Sequence, residues 1–540
     1  MKNLVQRCLI ALTIFSFPFF ASAQEVYKHI QYRDIYEFLD ELASQKIIVI
    51  NSAVKPYARI FIAEKLHEAD AKRSELNKRQ QGDLDFYLKD YNKELIADKN
   101  FKRRYDLFYY KDSLFSFTLN PILGVQYFHN DSGNFYHRWN GAEMYGYIGK
   151  NFAMYASLRD NHESVRLSDP SYLNQNMGAE YKGENEGGDY SEMRGGITYA
   201  WKWGSLGAIK DHFIWGDGEH GSNIFSGRTP SFAHLRLHLK PARWFDFNYI
   251  HGWLASNVVD SSKLYYSNGT LNRIVYRPKY VAANFATITP FKGFDFSFGN
   301  SIVYSDQNVH LAYLIPVFFY KSVDHTLSST GPDESGQNAQ MFFNLSSRNI
   351  KNVHLYVSVF IDEISFSNAF NKDEQSNFIS MKGGGKISNL LNKNISVVAE
   401  YTRTNPITYR HYVTTTTFAS NDYGMGHYLG DNAQEIYFAL GWKPLPKLSA
   451  QLSYTKAQKG VEYFYDGHPG SDGKGLPFME QVYWDWESYG FEVQYQLVND
   501  VYGAFNVKQS NSDGLKKDVY TMPQLVGKQT TLSFTVTIGF

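Results

Sequence analysis

The sequence has almost no cysteine. Among 540 residues the single example is Cys8, which lies in an N-terminal segment that we expect to be removed. The remaining chain therefore cannot form disulfide frameworks, thiolate metal sites or a cysteine nucleophile.

Long hydrophobic runs are also scarce, and the one present lies at the N-terminus. Lys2 and Arg7 precede an apolar stretch from Cys8 to Phe20, and the small residues Ala21-Ser22-Ala23 follow it. This order predicts a signal peptide over residues 1–23, cleaved after about Ala23. An uncleaved anchor helix is the alternative, but the run is shorter than the roughly 20 residues that a spanning helix needs.

An excess of charge of one sign is a third absence. The chain has 54 basic and 54 acidic residues, and loss of Lys2 and Arg7 would bring the net charge to about −2. No field that attracts a polyanion is implied, so nucleic acid is not an expected partner.

Aromatic residues, by contrast, are abundant. Tyr (41), Phe (40) and Trp (9) make up 17% of the chain, while mean hydropathy is only −0.41. An exported, aromatic-rich chain without spanning helices is typical of a bacterial outer-membrane barrel, in which alternation dilutes the apolar signal and aromatic rings gather at the lipid interfaces. A large secreted β-protein is the competing interpretation.

Residues 24–104 have the pattern of a small helical periplasmic domain. In IYEFLDELASQ the apolar residues recur at helical spacing, and Pro56 precedes a second apolar-periodic stretch as a helix-start residue. The charged run AKRSELNKRQQGDLDFYLKDYNKEL predicts a third, solvated helix.

From residue 105 to residue 540 the apolar period changes to two. In NFAMYASLRDN, NVHLYVSVFIDEI, KLSAQLSYT, SYGFEVQYQL and TTLSFTVTIGF, apolar residues alternate with small or polar ones. In a membrane barrel the apolar face would contact outer-membrane lipid and lipopolysaccharide, and the polar face would line the lumen. Five charged residues are expected to point inward: Arg159, Arg194, Glu400, Arg403 and Glu492.

The spacing of turn signals predicts about 18 strands. Eight short connectors join sixteen strands in pairs, and strands near 114–128 and 530–540 complete the set. Long, polar, glycine-rich stretches separate the pairs, at residues 160–189, 255–277, 305–337, 405–431 and 458–483. Alternation of short and long connections favours an all-β transmembrane antiparallel barrel over a sandwich. An even strand count lets the last strand pair with the first, and the terminal Phe540 resembles the signal that such proteins present to the barrel-insertion machinery.

Catalytic and metal-binding motifs are not evident. GDGEHGS matches neither a zinc motif nor a nucleophile elbow, GGGK lacks the spacing of a phosphate-binding loop, and YFYDGHPGSDGKG does not match the calcium-loop pattern. We expect no enzyme, no metal and no cofactor.

Carbohydrate binding requires aromatic faces with planar polar groups beside them, and three predicted outer loops offer such mixtures. The candidate ligand residues are Trp215, Asp217, His220, Tyr423, His427, Tyr428, Tyr463, Asp466, Trp484 and Trp486. For Trp484 and Trp486 the alternative is a place in the aromatic girdle at the membrane interface.

Several stretches together resemble the capsule-assembly Wzi family of outer-membrane proteins, in the form found in the Bacteroidetes lineage. They include GRTPSFAHLRLHLKPARWFDFNYIHGWL, FKGFDFSFGNSIVYS, EYTRTNPITYRHYV and GHYLGDNAQEIYFALGWKPLPKLSAQLSYTKAQKG. The resemblance implies an eighteen-stranded barrel with a plugged lumen, whose outer loops hold capsular or exopolysaccharide at the cell surface as a lectin would. It supplies no catalytic residue and no site motif.

Other functions remain open at this point. A porin or export channel would need an open lumen, and a component of a secretion or gliding machine would need protein partners. The sequence identifies neither the sugar nor the oligomeric state.

Overall fold

The computed structural model describes residues 24–95, 102–183, 187–327, 336–364, 367, 371, 376–465 and 474–539. The predicted signal peptide, Asp466 and Phe540 lie outside this part of the chain.

Helices are concentrated at the N-terminal end of the described chain. Three α-helices lie there: α1 at Arg33–Ser44, α2 at Arg59–Asp70 and α3 at Lys78–Leu95. Two short α-helices occur later, α4 at Tyr320–Leu327 and α5 at Lys517–Tyr520. Single 3-10 turns occupy Arg73–Glu75, Ser261–Lys263, Leu311–Leu314, Thr414–Thr416 and Pro523–Leu525. Within the described residues, no helix combines the length and the apolar character that crossing a membrane would require.

The rest of the chain forms a closed antiparallel barrel of 18 strands, as the period of two predicts. The strands are β1 Phe115–Asn130, β2 Gly133–Ile148, β3 Phe152–Glu163, β4 Gly188–Trp201, β5 Gly204–Asp211, β6 Phe232–Ala242, β7 Phe245–Leu254, β8 Lys279–Phe291, β9 Phe294–Ser305, β10 Asn338–Ser347, β11 Val353–Glu363, β12 Phe378–Leu390, β13 Ile395–Thr404, β14 Ala433–Leu445, β15 Leu448–Gly460, β16 Val482–Val498, β17 Val501–Asp513 and β18 Gly527–Ile538. Each strand pairs with its neighbour in sequence, and β18 closes on β1 through the register Leu532↔His129 to Ile538↔Leu123.

Four further short pairings lie outside this wall. Phe108–Lys111 adds to the first half of β1. Val54–Lys55 pairs with Ile214–Trp215. Tyr265–Ser267 and Thr270–Arg273 form a small hairpin, and Ala419–Ser420 pairs with Tyr423–Gly424.

The outward face of the barrel is apolar and exposed. Leu355, Val357, Phe438, Leu452 and Phe534 are among the side chains that stand out from the wall. At the end with the short turns, the exposed aromatic residues form a row that includes Trp203, Trp244, Phe291 and Trp442. An apolar band bordered by aromatic residues is the surface that a transmembrane barrel presents to lipid.

The two ends of the barrel differ in their connections. At one end, here called the turn end, all eight connections between consecutive strands are short, for example Gly149–Asn151 and Asn499–Asp500. At the other, the loop end, the five predicted long stretches are present with their bounds shifted by a few residues. The first hairpin differs from the prediction, because β1 and β2 are joined at the loop end by only Asp131 and Ser132.

Helices α1 to α3 lie against the turn end and are not a solvated appendage. Asn499 donates to the Phe86 carbonyl (3.1 Å), and the Lys447 backbone N–H donates to Asp83 (2.8 Å). About half of α3 is buried, which makes the prediction of a solvated charged helix wrong. Its charged residues are paired instead: Arg59 of α2 donates to Asp90 (3.0 Å), and both side chains are about 3% exposed.

Two loop-end segments fold into the lumen. Residues 212–231, between β5 and β6, carry Phe213, Trp215 and Phe225, and residues 405–432 carry Tyr409 and Phe418. Together with inward residues of the wall such as Phe285, Phe342 and Phe360, they form a buried aromatic core inside the barrel.

Candidate functional site

The first predicted sugar-binding group lies in the lumen, not on an outer loop. Trp215 is 1% exposed and stacks on Phe285 with ring centroids 5.3 Å apart. Asp217 accepts from the Ser52 hydroxyl and from Asn344 (2.7 Å). His220 stacks on Tyr437 (4.0 Å). The carbohydrate hypothesis requires an exposed ring face and a free planar polar group, and Trp215 and Asp217 offer neither. His220 is about a quarter exposed.

The second predicted group is also buried. The Tyr423 hydroxyl hydrogen-bonds with the Ser168 and Ala179 carbonyls, which ties residues 405–432 to the neighbouring loop. Tyr428 donates to Glu435, and His427 Nε2 lies 3.7 Å from the same carboxylate. These side chains join the inward loops to the wall.

Trp484 and Trp486 do not belong to an aromatic girdle at the lipid interface. Both point inward from β16, with centroids 5.8 Å apart in a stacked arrangement. Trp484 Nε1 donates to Thr521 Oγ1 (2.7 Å), and Trp486 Nε1 donates to Ser488 (3.2 Å). Both predicted locations for these rings, an outer loop and the girdle, are therefore corrected.

Tyr463 is the predicted residue that lies nearest to an open surface. It is partly exposed, and its hydroxyl donates to the Pro477 carbonyl (3.1 Å) and to Glu480 (3.0 Å). Asp466 lies outside the described residues.

An exposed cluster of rings and charges lies next to Tyr463. We call it the loop-end aromatic site, and its members are Arg410, His411, Tyr412, Glu462, Phe464 and Tyr465. Tyr412 is 50% exposed and Phe464 is 64% exposed. Tyr412 packs on His411 (4.1 Å between centroids) and meets Tyr465 edge-on (6.0 Å).

Ion pairs fix the base of the loop-end aromatic site. Arg410 donates through Nε to Asp431 (2.8 Å) and through Nη2 to Glu462 (3.2 Å), and its guanidinium lies 4.8 Å from the centre of the Phe464 ring. Lys459 donates to Asp431 from below (3.0 Å). A planar cation held by two carboxylates and covered by a ring loses little freedom when a ligand arrives.

Asp431 and Arg410 at this base stay charged over the physiological pH range. Burial disfavours the Asp431 carboxylate, but Lys459 and Arg410 outweigh burial and lower the pKa of Asp431. Burial also lowers the pKa of His411 to about 4, against a hydrogen bond with Val413 that raises it. The site therefore keeps a neutral imidazole beside the charged Asp431 carboxylate and the Arg410 guanidinium.

This arrangement can bind a sugar without any reacting group. The exposed faces of Tyr412 and Phe464 offer negative π density to the C–H bonds of a pyranose ring. Arg410 and Glu462, each about a quarter exposed, can bond neighbouring hydroxyl or carboxylate groups. The sequence analysis missed Tyr412, although an aromatic residue directly after Arg410-His411 in a polar loop was a usable signal.

One buried group has the composition of a metal site but is already hydrogen-bonded. His29 Nε2 and His212 Nδ1 are 3.1 Å apart, and Asp211 lies within reach of both. Arg194 donates to Asp211 (2.7 Å) and places a positive charge beside any ion. We assign these residues a structural role between the N-terminal segment and the wall.

The inner wall is polar and partly open on the side of β15 to β17. Gln451, Glu492 and Asn506 face inward and are partly or fully exposed. Arg194 and Glu400 point inward as predicted, whereas Arg403 points outward and lies 3.8 Å from the Phe478 ring centre. The lumen thus contains a packed aromatic core on one side and a wettable wall on the other.

Comparison with known proteins gives information on the fold alone. No protein-family model matches the chain, and no curated protein matches it. Among solved structures it is similar to Wzi of Escherichia coli, an outer-membrane carbohydrate-binding β-barrel involved in group 1 capsule assembly. That similarity has a TM-score of 0.56 and 11% identity, and covers 96% of this chain and 100% of that chain.

Two other structures are more distant. OccAB1 of Acinetobacter baumannii gives a TM-score of 0.43 at 9% identity over 80% of this chain and 97% of that one. OccD3 of Pseudomonas aeruginosa gives 0.40 at 10% identity over 78% and 90%. At this identity the similarity to Wzi concerns architecture: the chain has the closed antiparallel barrel of outer-membrane proteins.

Proposed function

We propose that this chain is an outer-membrane barrel that binds capsular or exopolysaccharide at the cell surface through its loop end. The carrying observation is the loop-end aromatic site, where two exposed rings stand above a guanidinium fixed by Asp431 and Glu462. The architecture shared with Wzi, a carbohydrate-binding barrel, supports the same conclusion. The role is binding, without catalysis.

The proposal includes an orientation. A cleaved signal peptide exports the chain, the loop end faces the exterior, and the turn end with helices α1 to α3 faces the periplasm. The short turns and long loops have the distribution found in outer-membrane barrels.

A binding experiment tests the proposal. Barrel in nanodiscs is titrated with polysaccharide purified from the surface of the producing strain. Tyr412→Ala is expected to raise the Kd about 2- to 10-fold, since one aromatic contact contributes about 0.5–1.5 kcal/mol. Tyr266→Ala removes an equally exposed ring on the separate Tyr265–Arg273 hairpin and serves as the matched control. Equal affinities of wild type and Tyr412→Ala would reject this site.

A diffusion channel is the second candidate, because Gln451, Glu492 and Asn506 give part of the lumen a wettable wall. Single-channel recording in a planar bilayer separates the two functions. The polysaccharide-binding function predicts almost no conductance, because helices cover the turn end and inward loops cross the lumen. Regular open steps would favour the channel.

A cellular test addresses retention. Deletion of the gene is expected to move surface polysaccharide from the cells into the medium without lowering its total amount. Unchanged retention would remove the attachment role.

A further inference from the structure

The connection between β9 and β10 does not extend away from the barrel. Its residues 310–327, here called the external strap, comprise the 3-10 turn Leu311–Leu314, a turn over residues 315–318 and helix α4. The strap folds back over the outward face of β7, β8 and β9, where Tyr313 and Tyr320 pack on Tyr249 and Tyr304. All four tyrosines are buried, although Tyr249 and Tyr304 stand on the outward side of the wall.

The strap reaches well below the loop-end rim. It contacts Asn284, which lies five positions along β8 from Lys279, or roughly 16 Å of strand. The register across the wall at this level runs Leu237↔Tyr249↔Asn284↔Asn300↔Met341↔Ile361. Two amides therefore interrupt a row of outward-facing residues that is otherwise apolar or aromatic.

Those two amides bond the strap's backbone. Asn284 Nδ2 donates to the Pro316 carbonyl (2.8 Å) and to the Phe318 carbonyl (3.0 Å). Asn300 Oδ1 accepts from the Tyr320 N–H (2.9 Å), and Asn300 Nδ2 donates to Asn284 Oδ1 (2.9 Å). An outward amide facing hydrocarbon alone would be costly, and irregular backbone at membrane depth is tolerated only where protein satisfies its polar groups. The asparagine side chains and the strap backbone therefore satisfy each other's hydrogen-bonding groups.

The exposed side of the strap is apolar. Leu311 is 77% exposed, Val317 is 75% exposed and Phe319 is 44% exposed, and no charged residue occurs from Leu311 to Tyr320. Lys321 and His325 are exposed on the following helix. Ala339 of β10 packs against the strap, and Phe343 and Leu345 on the same outward face of that strand are exposed, so the apolar surface of the strap borders the outward face of the wall.

We propose that the external strap is a membrane-embedded element whose Leu311–Phe319 surface contacts the acyl chains of the leaflet on the loop-end side. The inference rests on the membrane location in the proposed function and is independent of glycan binding. The occupant is lipid because the Pro316 and Phe318 carbonyls and the Tyr320 N–H bond the wall, the exposed side chains from Leu311 to Phe319 are uncharged, and the surface borders the outward apolar band.

Depth-dependent quenching tests this assignment. In a Cys8→Ser background the chain has no other cysteine, so single-cysteine variants carry one environment-sensitive fluorophore each. Val317→Cys is compared with Phe534→Cys on the outward wall and Tyr265→Cys on the loop-end hairpin, all at exposed positions. The proteins are reconstituted in phosphatidylcholine nanodiscs whose acyl chains carry nitroxide.

Lipid contact predicts that acyl-chain nitroxide quenches Val317→Cys within about twofold of Phe534→Cys, and Tyr265→Cys at least fivefold less. Quenching of Val317→Cys at the level of Tyr265→Cys would overturn the inference. If Phe534→Cys were also unquenched, the membrane location itself would fail. Weak quenching, together with a disulfide-linked dimer when the unlabelled Val317→Cys variant is mildly oxidised, would assign the surface to a second copy of the chain and likewise reject lipid.

Discussion

At the scale of single residues, burial separates ligand candidates from structural residues of the same types. Trp215, Tyr423 and Tyr428 have the chemistry of sugar-binding side chains, yet each is buried and bonded within the chain. Tyr412 and Phe464 have the same chemistry and are exposed. Residue type and local composition predicted which chemistry is present, but they could not distinguish a loop that turns outward from one that folds into the lumen.

Trp215→Ala is expected to affect stability and not binding. The substitution removes a ring packed between Phe225, Phe285 and Phe342, and such truncations cost about 3–5 kcal/mol. Thermal unfolding in detergent should shift downward by about 5 °C or more, with Trp203→Ala, an exposed ring at the turn end, as the control. Normal stability combined with lost glycan affinity would restore Trp215 as a ligand residue.

Asp34 gives the N-terminal region a pH-dependent stability. Burial and the neighbouring Glu37 raise the pKa of Asp34 to about 7, whereas the unfolded chain releases this proton near pH 4. Between those values the folded state holds a proton that the unfolded state has lost, so stability falls as pH rises from about 4 to 7.

Asp34→Asn should therefore raise the unfolding temperature at pH 8 by about 1 °C or more and leave it unchanged at pH 4. Differential scanning calorimetry at both pH values measures the effect. An equal shift at the two pH values would show that proton binding at Asp34 is not its cause.

At the scale of elements, the two-residue period predicted the strands and their outward faces, but it did not predict where the connecting segments pack. The two-residue period predicted the outward face of β16 through Tyr489, Phe491 and Val493, and counting back from Tyr489 already places Trp484 and Trp486 on the opposite, inward face. The strap and the inward loops are different, because their positions follow from distant partners such as Asn284 that no local pattern identifies.

Helix α1 is attached to the turn end through a buried ionic contact. Arg348, beside the turn between β10 and β11, donates to Asp40 (2.5 Å) and to Ser52 (2.8 Å). Burial opposes the Asp40 charge, but Lys386 and Arg348 hold the pKa of Asp40 well below its usual range. A fully broken buried pair costs about 3–5 kcal/mol; without Arg348, Asp40 keeps Lys386 at 3.3 Å but loses its hydrogen-bonded partner, so the cost is a part of that.

Arg348→Ala should accordingly loosen the N-terminal helices. We expect proteinase K to cleave residues 24–104 at least tenfold faster than in wild type, while the barrel remains resistant. Arg33→Ala, which removes an exposed arginine at the start of α1, should cleave at the wild-type rate. Equal rates for the two variants would show that Arg348 does not hold the helices.

At the scale of the whole molecule, the closed barrel with unequal ends was predictable because it depends on repeated, local signals. Eight short turns and an even strand count were sufficient to predict closure of the last strand on the first. The filling of the lumen was not predictable, since it is built from single contacts between segments far apart in sequence, such as Asn223 donating to the Ser380 carbonyl 157 residues away (3.0 Å).

The orientation of the molecule has a direct test on cells. An epitope inserted after Gly269, at the tip of the loop-end hairpin, should bind antibody on intact cells. The same epitope placed between Asn392 and Lys393, in a turn-end connection, should be detected only after permeabilisation. The reverse pattern would invert the assignment of the two ends.

The helices across the turn end bear on the route by which a bound polysaccharide reaches the cell surface. Under the proposed function, a polysaccharide bound at the loop end would not have passed through this barrel, because residues from Arg33 to Leu95 of the same chain lie across its turn end. Such a polysaccharide would have crossed the outer membrane through a different protein and been bound afterwards. The protein would then act as an attachment site downstream of an exporter. The number of copies in the outer membrane, and not a transport rate, would limit how much polysaccharide each cell retains.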